Sequence, residues 1–420
     1  MLNSQAEGAG SRPPLVTRPL LLRFVSIIGA STSFYLLLSV VPLYAEATGG
    51  GRGNAAGLTT GALMLATVGG ELATPRLVAR FGYRLVLVAG LLLLGAPAFA
   101  LTASGGAVWI TAVCLLRGLG FAFAVVAGGA LTASLIPAER RGEGLALVGI
   151  VTGVPSLVAL PLGVWLVAHV GYGPVFAAGA VAALAAVASV PGLPDRDPDR
   201  DPDRDPDRGP ERPIGVTAGF RTPALSRPVL VFSVTALAAG ILVTFLPLAV
   251  PSASGGVVAT ALFAQTAAAT GARWVAGRHG DRHGPAALLV PGLVVAAVGT
   301  LLTSLTHSPV AVVIGVALFG VGFGVTQNST LTLMYARAPA SGYGTVSALW
   351  NFAFDAGMGV GAVGFGFLAG RTGYPWAFAL TAVLMLTALA PAWRDRRTKG
   401  VVGPGRDGPG EQGEDSSGGR

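Results

Sequence analysis

Four charged side chains lie inside long apolar stretches of this sequence: Glu71, Arg117, Arg273 and Asp355. A charge at the centre of a membrane-spanning helix costs about 2.5 to 3.5 kcal/mol on insertion scales, so such groups persist where they pair or face a water-filled cavity. The two acids and two bases sum to zero charge. This balance indicates an interior polar pathway rather than four separate charges facing lipid.

Arg117 and Asp355 each lie about ten residues into an apolar stretch, which at 1.5 Å per residue places both near the middle of a membrane. Asp355 is a candidate proton carrier, because alternating exposure to solvent and to an arginine would load and release a proton. Arg117 is the candidate alternating partner, or it attracts anionic substrate groups. The alternative for Asp355 is a permanent ion pair or helix–helix hydrogen bond that stabilises the fold.

Glu71 and Arg273 occupy corresponding positions near the ends of two other apolar stretches, and their charges are opposite. This arrangement predicts an inner gate formed by the two side chains, with Glu71 as a second residue for proton coupling. The alternative is that each long side chain reaches water or a nearby loop charge on its own.

Uncharged polar side chains cluster in the second half of the chain. Those predicted to bind substrate are Gln265, Gln327, Asn328, Trp350 and Asn351. An aromatic-walled cavity with a few amides suits a moderately hydrophobic compound better than a sugar, which needs many hydrogen-bonding groups. The alternative is that these side chains join helices, at roughly 0.6 kcal/mol for each hydrogen bond.

The elements that carry these residues are predicted membrane helices. The chain has 420 residues, of which 52% are hydrophobic and 11% charged, with a mean hydropathy of +0.67. Soluble proteins carry about 25% charged residues, so a soluble enzyme is excluded. Apolar stretches long enough to cross a bilayer predict an all-α protein with twelve spans. They are residues 24–44, 56–75, 85–102, 107–131, 145–168, 173–191, 229–251, 257–276, 285–306, 309–334, 344–369 and 374–393.

Basic residues flanking the spans place both termini in the cytoplasm, because loops rich in arginine stay on that side. The net charge of +8 is therefore interpreted as a topology signal and not as a nucleic-acid site. The predicted location is the cytoplasmic membrane, with the lipid bilayer as a partner and a monomeric state. The single cysteine, Cys114, and four scattered histidines predict no metal site. The sequence contains neither a phosphate-binding loop nor a set of catalytic residues at suitable spacing. We therefore expect that the protein binds no cofactor and is not an enzyme.

Polar segments divide the chain into two six-helix bundles, residues 24–191 and 229–395. Residues 1–23 are predicted to be a cytoplasmic segment and 396–420 a disordered tail. The linker, 192–228, contains the repeat PDRDPDRDPDRDPDRGPER, whose prolines and charges predict an extended tether. A regulatory docking role is the alternative.

The two bundles are related by an internal duplication. At a fixed offset of 202 residues, identities recur in order along the chain, among them Arg80 with Arg282, Gly82 with Gly284 and Gly118 with Gly320. Both copies begin on the same side, so an axis along the membrane normal should relate them, with a substrate site between the halves.

Short motifs in each copy resemble those of the major facilitator superfamily. The loop after the second span has the pattern Gly-x-Leu-x-Asp-Arg-x-Gly in that family. The second copy retains Gly277, Asp281, Arg282 and Gly284, whereas the first copy retains Leu77, Arg80 and Gly82 and has Ala79 in place of the aspartate. In the fourth span, Arg117 followed by Gly118 and Gly120 is similar to the family's motif there. In the fifth span, Gly149, Gly153, Pro155 and Gly163 resemble the antiporter motif of drug–proton exchangers.

The resemblance implies a secondary transporter whose halves rock about a central site. It assigns gating to Arg80 and Gly82 of the first loop, to Gly277, Asp281, Arg282 and Gly284 of the second loop, and to Gly153 and Pro155. It also places Phe34 and Tyr35 of the first span beside the substrate. The expected function is proton-coupled efflux of a small amphiphilic or hydrophobic compound, with protons and that small molecule as partners. The alternatives are a transporter of a polar metabolite such as a sugar or amino acid, and a non-transporting membrane sensor.

Overall fold

A computed structural model describes residues 16–49, 54–137, 140–195, 220–251, 256–338 and 342–397. The predicted cytoplasmic segment before residue 16, most of the linker repeat and the predicted disordered tail beyond residue 397 lie outside the described residues, as does the side chain of Asp281.

The first half of the chain is built from helices α1 to α6. They are α1 (Arg18–Leu38), α2 (Val40–Gly49), α3 (Asn54–Phe99), α4 (Ala107–Leu135), α5 (Arg141–Val170) and α6 (Tyr172–Ala186). The first helix starts at Arg18, six residues before the sequence estimate. Thr17 caps it by accepting a hydrogen bond from the Leu20 N–H at 3.4 Å. Pro19 fits the first turn because an N–H group there would have no acceptor within the helix.

The second half repeats this order. Its helices are α7 (Pro223–Ala249), α8 (Val257–His283), α9 (Leu289–Thr303), α10 (Pro309–Ala336), α11 (Tyr343–Thr372), α12 (Tyr374–Thr387) and α13 (Leu389–Arg397). Three helix pairs begin 202 residues apart: α4 with α10, α5 with α11 and α6 with α12. The offset seen in the sequence is therefore also the spacing of helices in the structure.

Four glycines with positive φ interrupt the helices at equivalent places. Gly82 and Gly284 have φ of 80° and 83°, and Gly171 and Gly373 have φ of 78° and 77°. Residues that carry a side chain rarely adopt this backbone conformation. Glycine at these positions therefore allows the chain to turn sharply between consecutive helices. Gly82 divides α3 into two helices that continue without a loop.

Ten helical segments in the described part of the chain are long and apolar enough to cross a membrane. One of them, Asn54–Ala103, contains the break at Gly82, and α8 is too polar to be among the ten. The structure is thus that of a helical multi-span membrane protein, while the number twelve and the cytoplasmic termini stay predictions.

Glycines let the helices within each half pack backbone to backbone. A Cβ added at Gly90 would lie 3.0 Å from the Gly120 oxygen, where α3 meets α4, and one added at Gly315 would lie 2.8 Å from the Gly299 oxygen, where α10 meets α9. Close approach of this kind drives helix association in lipid, where no hydrophobic effect acts between helices.

The two halves meet mainly where α3 packs against α11 and α5 against α8. Two hydrogen bonds join α1 and α3 to α7: the Ser39 hydroxyl donates to the Val243 oxygen at 2.8 Å, and the hydroxyls of Thr60 and Thr244 lie 2.9 Å apart. On α3, Gly57 packs against the carbonyl oxygen of Ala362. These contacts lie at the end of the bundle away from the first residues of α1 and α7.

Buried charges are not confined to the four residues predicted within the spans, because the helices extend further than the apolar stretches. Arg23 is 4% exposed in α1, Glu46 is 7% exposed in α2 and Asp395 is 1% exposed in α13. Arg23 donates to the Gly128 and Ala124 carbonyls and to the Thr132 hydroxyl. Asp395 accepts from Arg337 at 3.0 Å. The fold therefore buries these charges among hydrogen-bonding partners.

Candidate functional site

A cavity of about 130 Å³ lies between the two halves, and both halves supply its walls. Its lining consists of Phe34, Tyr35, Leu38, Ser156, Leu160, Ala239, Val243, Gln265, Thr266, Ala269, Thr270, Arg273, Phe323, Gln327, Phe354 and Met358. Five residues predicted from the sequence to bind substrate or gate the pathway therefore share one cavity: Phe34, Tyr35, Gln265, Arg273 and Gln327.

Aromatic rings form much of the cavity wall. Phe34 stacks on Phe121 with ring centroids 3.6 Å apart and meets Tyr35 edge-on at 5.2 Å. Across the cavity, the Phe323 and Phe354 rings lie 6.3 Å apart. Sequence reasoning missed these last two, although Phe354 directly precedes Asp355. Such a wall favours a ligand with apolar or aromatic surface.

Two amide side chains, Gln265 of α8 and Gln327 of α10, supply polar groups to the same cavity. Gln265 is 5% exposed, and its Oε1 atom is buried with no hydrogen-bond partner among the residues that the structure describes. Leaving a buried acceptor unsatisfied costs about 1 to 3 kcal/mol, so this oxygen is a natural acceptor for a bound molecule.

Arg273 of α8 is half-buried at the cavity and donates to the Thr270 hydroxyl at 3.3 Å. Tyr35 of the first half lines the same cavity. Within the described part of the chain, no ion pair joins Arg273 to Glu71 or to another acid. The inner gate predicted as a Glu71–Arg273 pair is therefore absent from this conformation.

Glu71 instead faces Asp355. Their side chains lie within hydrogen-bonding distance of each other, and they join α3 of the first half to α11 of the second. Asp355 is 5% exposed and Glu71 is half-buried. A hydrogen bond between two carboxyl groups requires a proton on one of them, because two adjacent carboxylates repel each other. Tyr35 lies close enough to Asp355 to interact electrostatically with it.

Arg117 does not meet Asp355 in this conformation. Its guanidinium is 1% exposed and donates to the Leu94 oxygen at 3.2 Å and to the Ser33 oxygen at 3.1 Å. The backbone carbonyls of α3 and α1 thus solvate this charge inside the first half. An alternating Arg117–Asp355 pair finds no support in these contacts.

Three other residues predicted to bind substrate lie outside the cavity lining. Trp350 stacks on Phe232 at 4.5 Å and donates to the Thr330 hydroxyl at 3.4 Å, so it packs within the second half. Asn328 lies beside Gly277 of α8. Asn351 is half-buried one turn before Asp355.

The loop motif of the first half is held by a residue that sequence reasoning did not single out. Asp195, at the start of the linker repeat, accepts from the Arg84 backbone N–H at 3.2 Å through its side chain and from the Tyr83 N–H at 3.0 Å through its carbonyl oxygen. A Cβ added at Gly82 would lie 2.6 Å from its Oδ1 atom. Arg80 is exposed and lies 5.2 Å from the Phe81 ring. In the second half, Gly277, Arg282 and Gly284 lie at the end of α8.

The glycines of the fifth predicted span, in α5, divide into two groups. Gly163 packs against the backbone oxygen of Leu36, whereas Gly149 and Gly153 have no atom within 4 Å of an added Cβ. Pro155 is buried between the two groups. The end of α5 that carries Gly163 is therefore closely packed, and the other end has free space beside it.

Comparison with known proteins agrees with this architecture. The family model described as Major Facilitator Superfamily matches residues 23–362 and 252–413. No curated protein matches the chain in sequence.

Three solved structures illustrate the likeness in fold. The nucleoside transporter NupG is 13% identical, with a TM-score of 0.71 over 91% of this chain and 100% of that one. A bacterial homologue of the human lysosomal transporter Spinster, in an inward-facing and unoccupied conformation, is 14% identical, with a TM-score of 0.71 over 91% and 96%. A POT family transporter in complex with a thioalcohol-conjugated peptide is 11% identical, with a TM-score of 0.72 over 91% and 96%.

Identities this low establish a common fold and no common substrate. The family match spans most of the chain, and the duplicated helical halves enclose a cavity, as expected from the sequence motifs. The chain belongs to the Major Facilitator Superfamily and is a multi-span membrane protein of the secondary transporter type.

Proposed function

We propose that this protein exports a small amphiphilic or hydrophobic compound across the cytoplasmic membrane in exchange for protons. The observation that carries the proposal is the carboxyl pair of Glu71 and Asp355, which joins the two halves beside the central cavity. The mostly apolar and aromatic lining of that cavity supports the choice of substrate.

The position of the pair suggests how transport is coupled to protons. One residue belongs to each half, so a rocking motion that moves α3 relative to α11 changes their separation. When the pair is in contact, one proton is held between the carboxyl groups. When the carboxyl groups separate and become hydrated, they exchange protons with the water on the side to which the cavity is open. Alternating access then links proton movement to the exposure of the substrate cavity.

The contacts between the halves support an inward-facing assignment for this conformation. The distribution of arginines predicts that the chain ends lie in the cytoplasm, and the hydrogen bonds Ser39–Val243 and Thr60–Thr244 join the halves at the opposite end. In the proposed cycle, these bonds break when the cavity opens to the outside.

The proposal is tested in proteoliposomes that contain a pH-sensitive dye. Lipophilic cations, aromatic acids, antibiotics and sugars are added in turn to wild type, Asp355→Asn and Glu71→Gln. Glu143→Gln provides a matched control, because Glu143 is 57% exposed and pairs with Arg140 at the surface. We expect substrate-triggered proton movement in wild type and the control, and none in the other two variants.

Two outcomes would contradict this proposal. Proton movement that persists in both Asp355→Asn and Glu71→Gln would leave the pair with a structural role. A response in wild type to sugars and none to the amphiphilic compounds would contradict the substrate class.

A second candidate function is transport of a polar metabolite. The amides of Gln265 and Gln327 favour it, because they offer hydrogen bonds that a purely apolar substrate leaves unused. The nucleoside transporter among the structures of similar fold gives a compound class to include. Uptake of a labelled nucleoside with no response to aromatic compounds would support this alternative.

A further inference from the structure

One face of α8 carries three residues of the cavity lining at four-residue spacing: Gln265, Ala269 and Arg273. Their Cα atoms follow the helix axis, so the first and third are separated by roughly 12 Å at 1.5 Å per residue. A polar acceptor and a positive charge therefore mark the two ends of one strip of the cavity wall.

The Gln265 end lacks a hydrogen-bond donor. The side chain is 5% exposed and its Oε1 atom has no partner in the described structure. The backbone of α8 is closely packed at this residue, since a Cβ added at Gly320 of α10 would lie 2.9 Å from the Gln265 Cα. A ligand with an O–H or N–H group at this end would satisfy the carbonyl oxygen.

The Arg273 end lacks an acid. Its guanidinium donates to the Thr270 hydroxyl, and no ion pair engages it among the described residues. A planar guanidinium binds a carboxylate through two parallel hydrogen bonds, more strongly than it binds neutral groups. A carboxylate on the ligand fits this end.

Aromatic rings line the same cavity. Phe34 stands on the side of the first half, and Phe323 and Phe354 on the side of the second. Aromatic rings pair favourably with other rings when they are offset or edge-on, which adds about 0.5 to 1.5 kcal/mol beyond area burial. The middle of the ligand is therefore best filled by a flat, apolar ring system.

We propose that the cavity binds aromatic weak acids: flat, ring-containing compounds with a carboxylate held by Arg273 and a hydrogen-bond donor held by Gln265. This proposal rests on the transport function proposed above and names its substrate class. An anionic acid leaving in exchange for an entering proton would move negative charge outward and positive charge inward, so transport would respond to the membrane potential.

The test uses calorimetric binding of 6-hydroxy-2-naphthoic acid to the purified full chain in detergent. Two analogues each remove one group: 6-methoxy-2-naphthoic acid lacks the donor, and the methyl ester of the parent acid lacks the charge. We expect wild type to bind the parent acid about tenfold more tightly than the methoxy analogue and about 30-fold more tightly than the ester.

Variants assign each loss to its residue. Gln265→Leu should weaken the parent acid about tenfold and bind the parent and methoxy compounds equally. Arg273→Gln should bind the parent and ester equally, and Arg273→Lys should recover part of the difference. The matched control is Arg371→Gln, which removes an exposed arginine from the last turn of α11, outside the cavity lining; its affinities should equal those of wild type. Thermal unfolding of each variant in detergent verifies that it is folded.

The outcomes separate this proposal from proton coupling. Absence of binding by wild type, equal binding of acid and ester, or unchanged affinity in both folded α8 variants would overturn the ligand class. Asp355→Asn should still bind the parent acid, because Asp355 is not in the cavity lining. If it binds the acid while proton movement continues in vesicles with both Asp355→Asn and Glu71→Gln, the coupling proposal fails and the ligand class stands.

Discussion

Substitution of Gly57 by alanine should force the two halves apart at the end where they now touch. Gly57 is buried in α3, and an added Cβ would overlap the carbonyl oxygen of Ala362 in α11 and lie 3.4 Å from Phe245. A backbone oxygen cannot rotate away as a side chain can. The substitution therefore penalises the conformation in which α3 and α11 are in contact.

The magnitude follows from the size of the overlap. An extra methyl group in a closely packed interface costs typically 1 to 3 kcal/mol, and each 1.4 kcal/mol is a tenfold change in an equilibrium constant. We expect the population of this conformation to fall between about 5-fold and 150-fold relative to an open one. Alanine also stabilises a helix by about 1 kcal/mol relative to glycine. A control substitution of another glycine in the same helix corrects for this effect.

That control is Gly69→Ala, also in α3, where an added Cβ has no atom within 4 Å. The measurement is disulfide formation between Thr60→Cys and Thr244→Cys, whose native hydroxyls lie 2.9 Å apart across the same boundary. The native cysteine, Cys114, is 2% exposed and contributes little background. Cross-linking should be slower with Gly57→Ala than with Gly69→Ala, by as much as the change in the ratio of the two conformations. Equal rates in the two backgrounds, with both proteins folded, would refute the reasoning.

Two further substitutions test the backbone positions described above. Gly82→Ala should lower the free energy of unfolding by about 1 to 3 kcal/mol, because Gly82 has φ of 80° and an added Cβ would lie 2.6 Å from Asp195 Oδ1. Thermal unfolding in detergent measures this change, and an unchanged midpoint would contradict the explanation. Gly163→Ala should destabilise the protein by about 1 to 3 kcal/mol because the added methyl group overlaps the Leu36 oxygen. Gly153→Ala, which meets no atom within 4 Å, should leave the stability unchanged. Similar thermal unfolding midpoints for the two variants would contradict the close packing described at Gly163.

The general architecture could be predicted because its signals are local and repeat along the chain. Continuous apolar stretches determine where helices lie in a membrane, since a backbone in lipid must satisfy its own hydrogen bonds. The 202-residue offset predicted two equivalent halves, and the positive φ of Gly82 and Gly284, and of Gly171 and Gly373, recurs at that same offset. Membership of the superfamily, predicted from loop and helix motifs, is confirmed by the family match.

The ends of helices were harder to predict than their centres. Hydropathy places the first span at residue 24, but α1 starts at Arg18 and buries Arg23 against α4. An arginine near a helix end is expected to reach water. Here Gly128 leaves space for the guanidinium, and carbonyl oxygens of α4 accept its hydrogen bonds. A single sequence does not show that a distant helix offers this pocket.

The sequence by itself determined that this protein is a duplicated bundle of membrane helices with a few charges in its interior. The tertiary structure decided which of those charges meet. Asp355 lies beside Glu71 because α3 packs against α11, while Arg117 is solvated by carbonyls of α1 and α3. Adjacent residues on one helix can also have different surroundings. Gln327 lines the cavity whereas Asn328 lies beside α8, because successive side chains on a helix point about 100° apart. These helices are apolar on most sides, so their rotation is set by packing against other helices rather than by their own pattern.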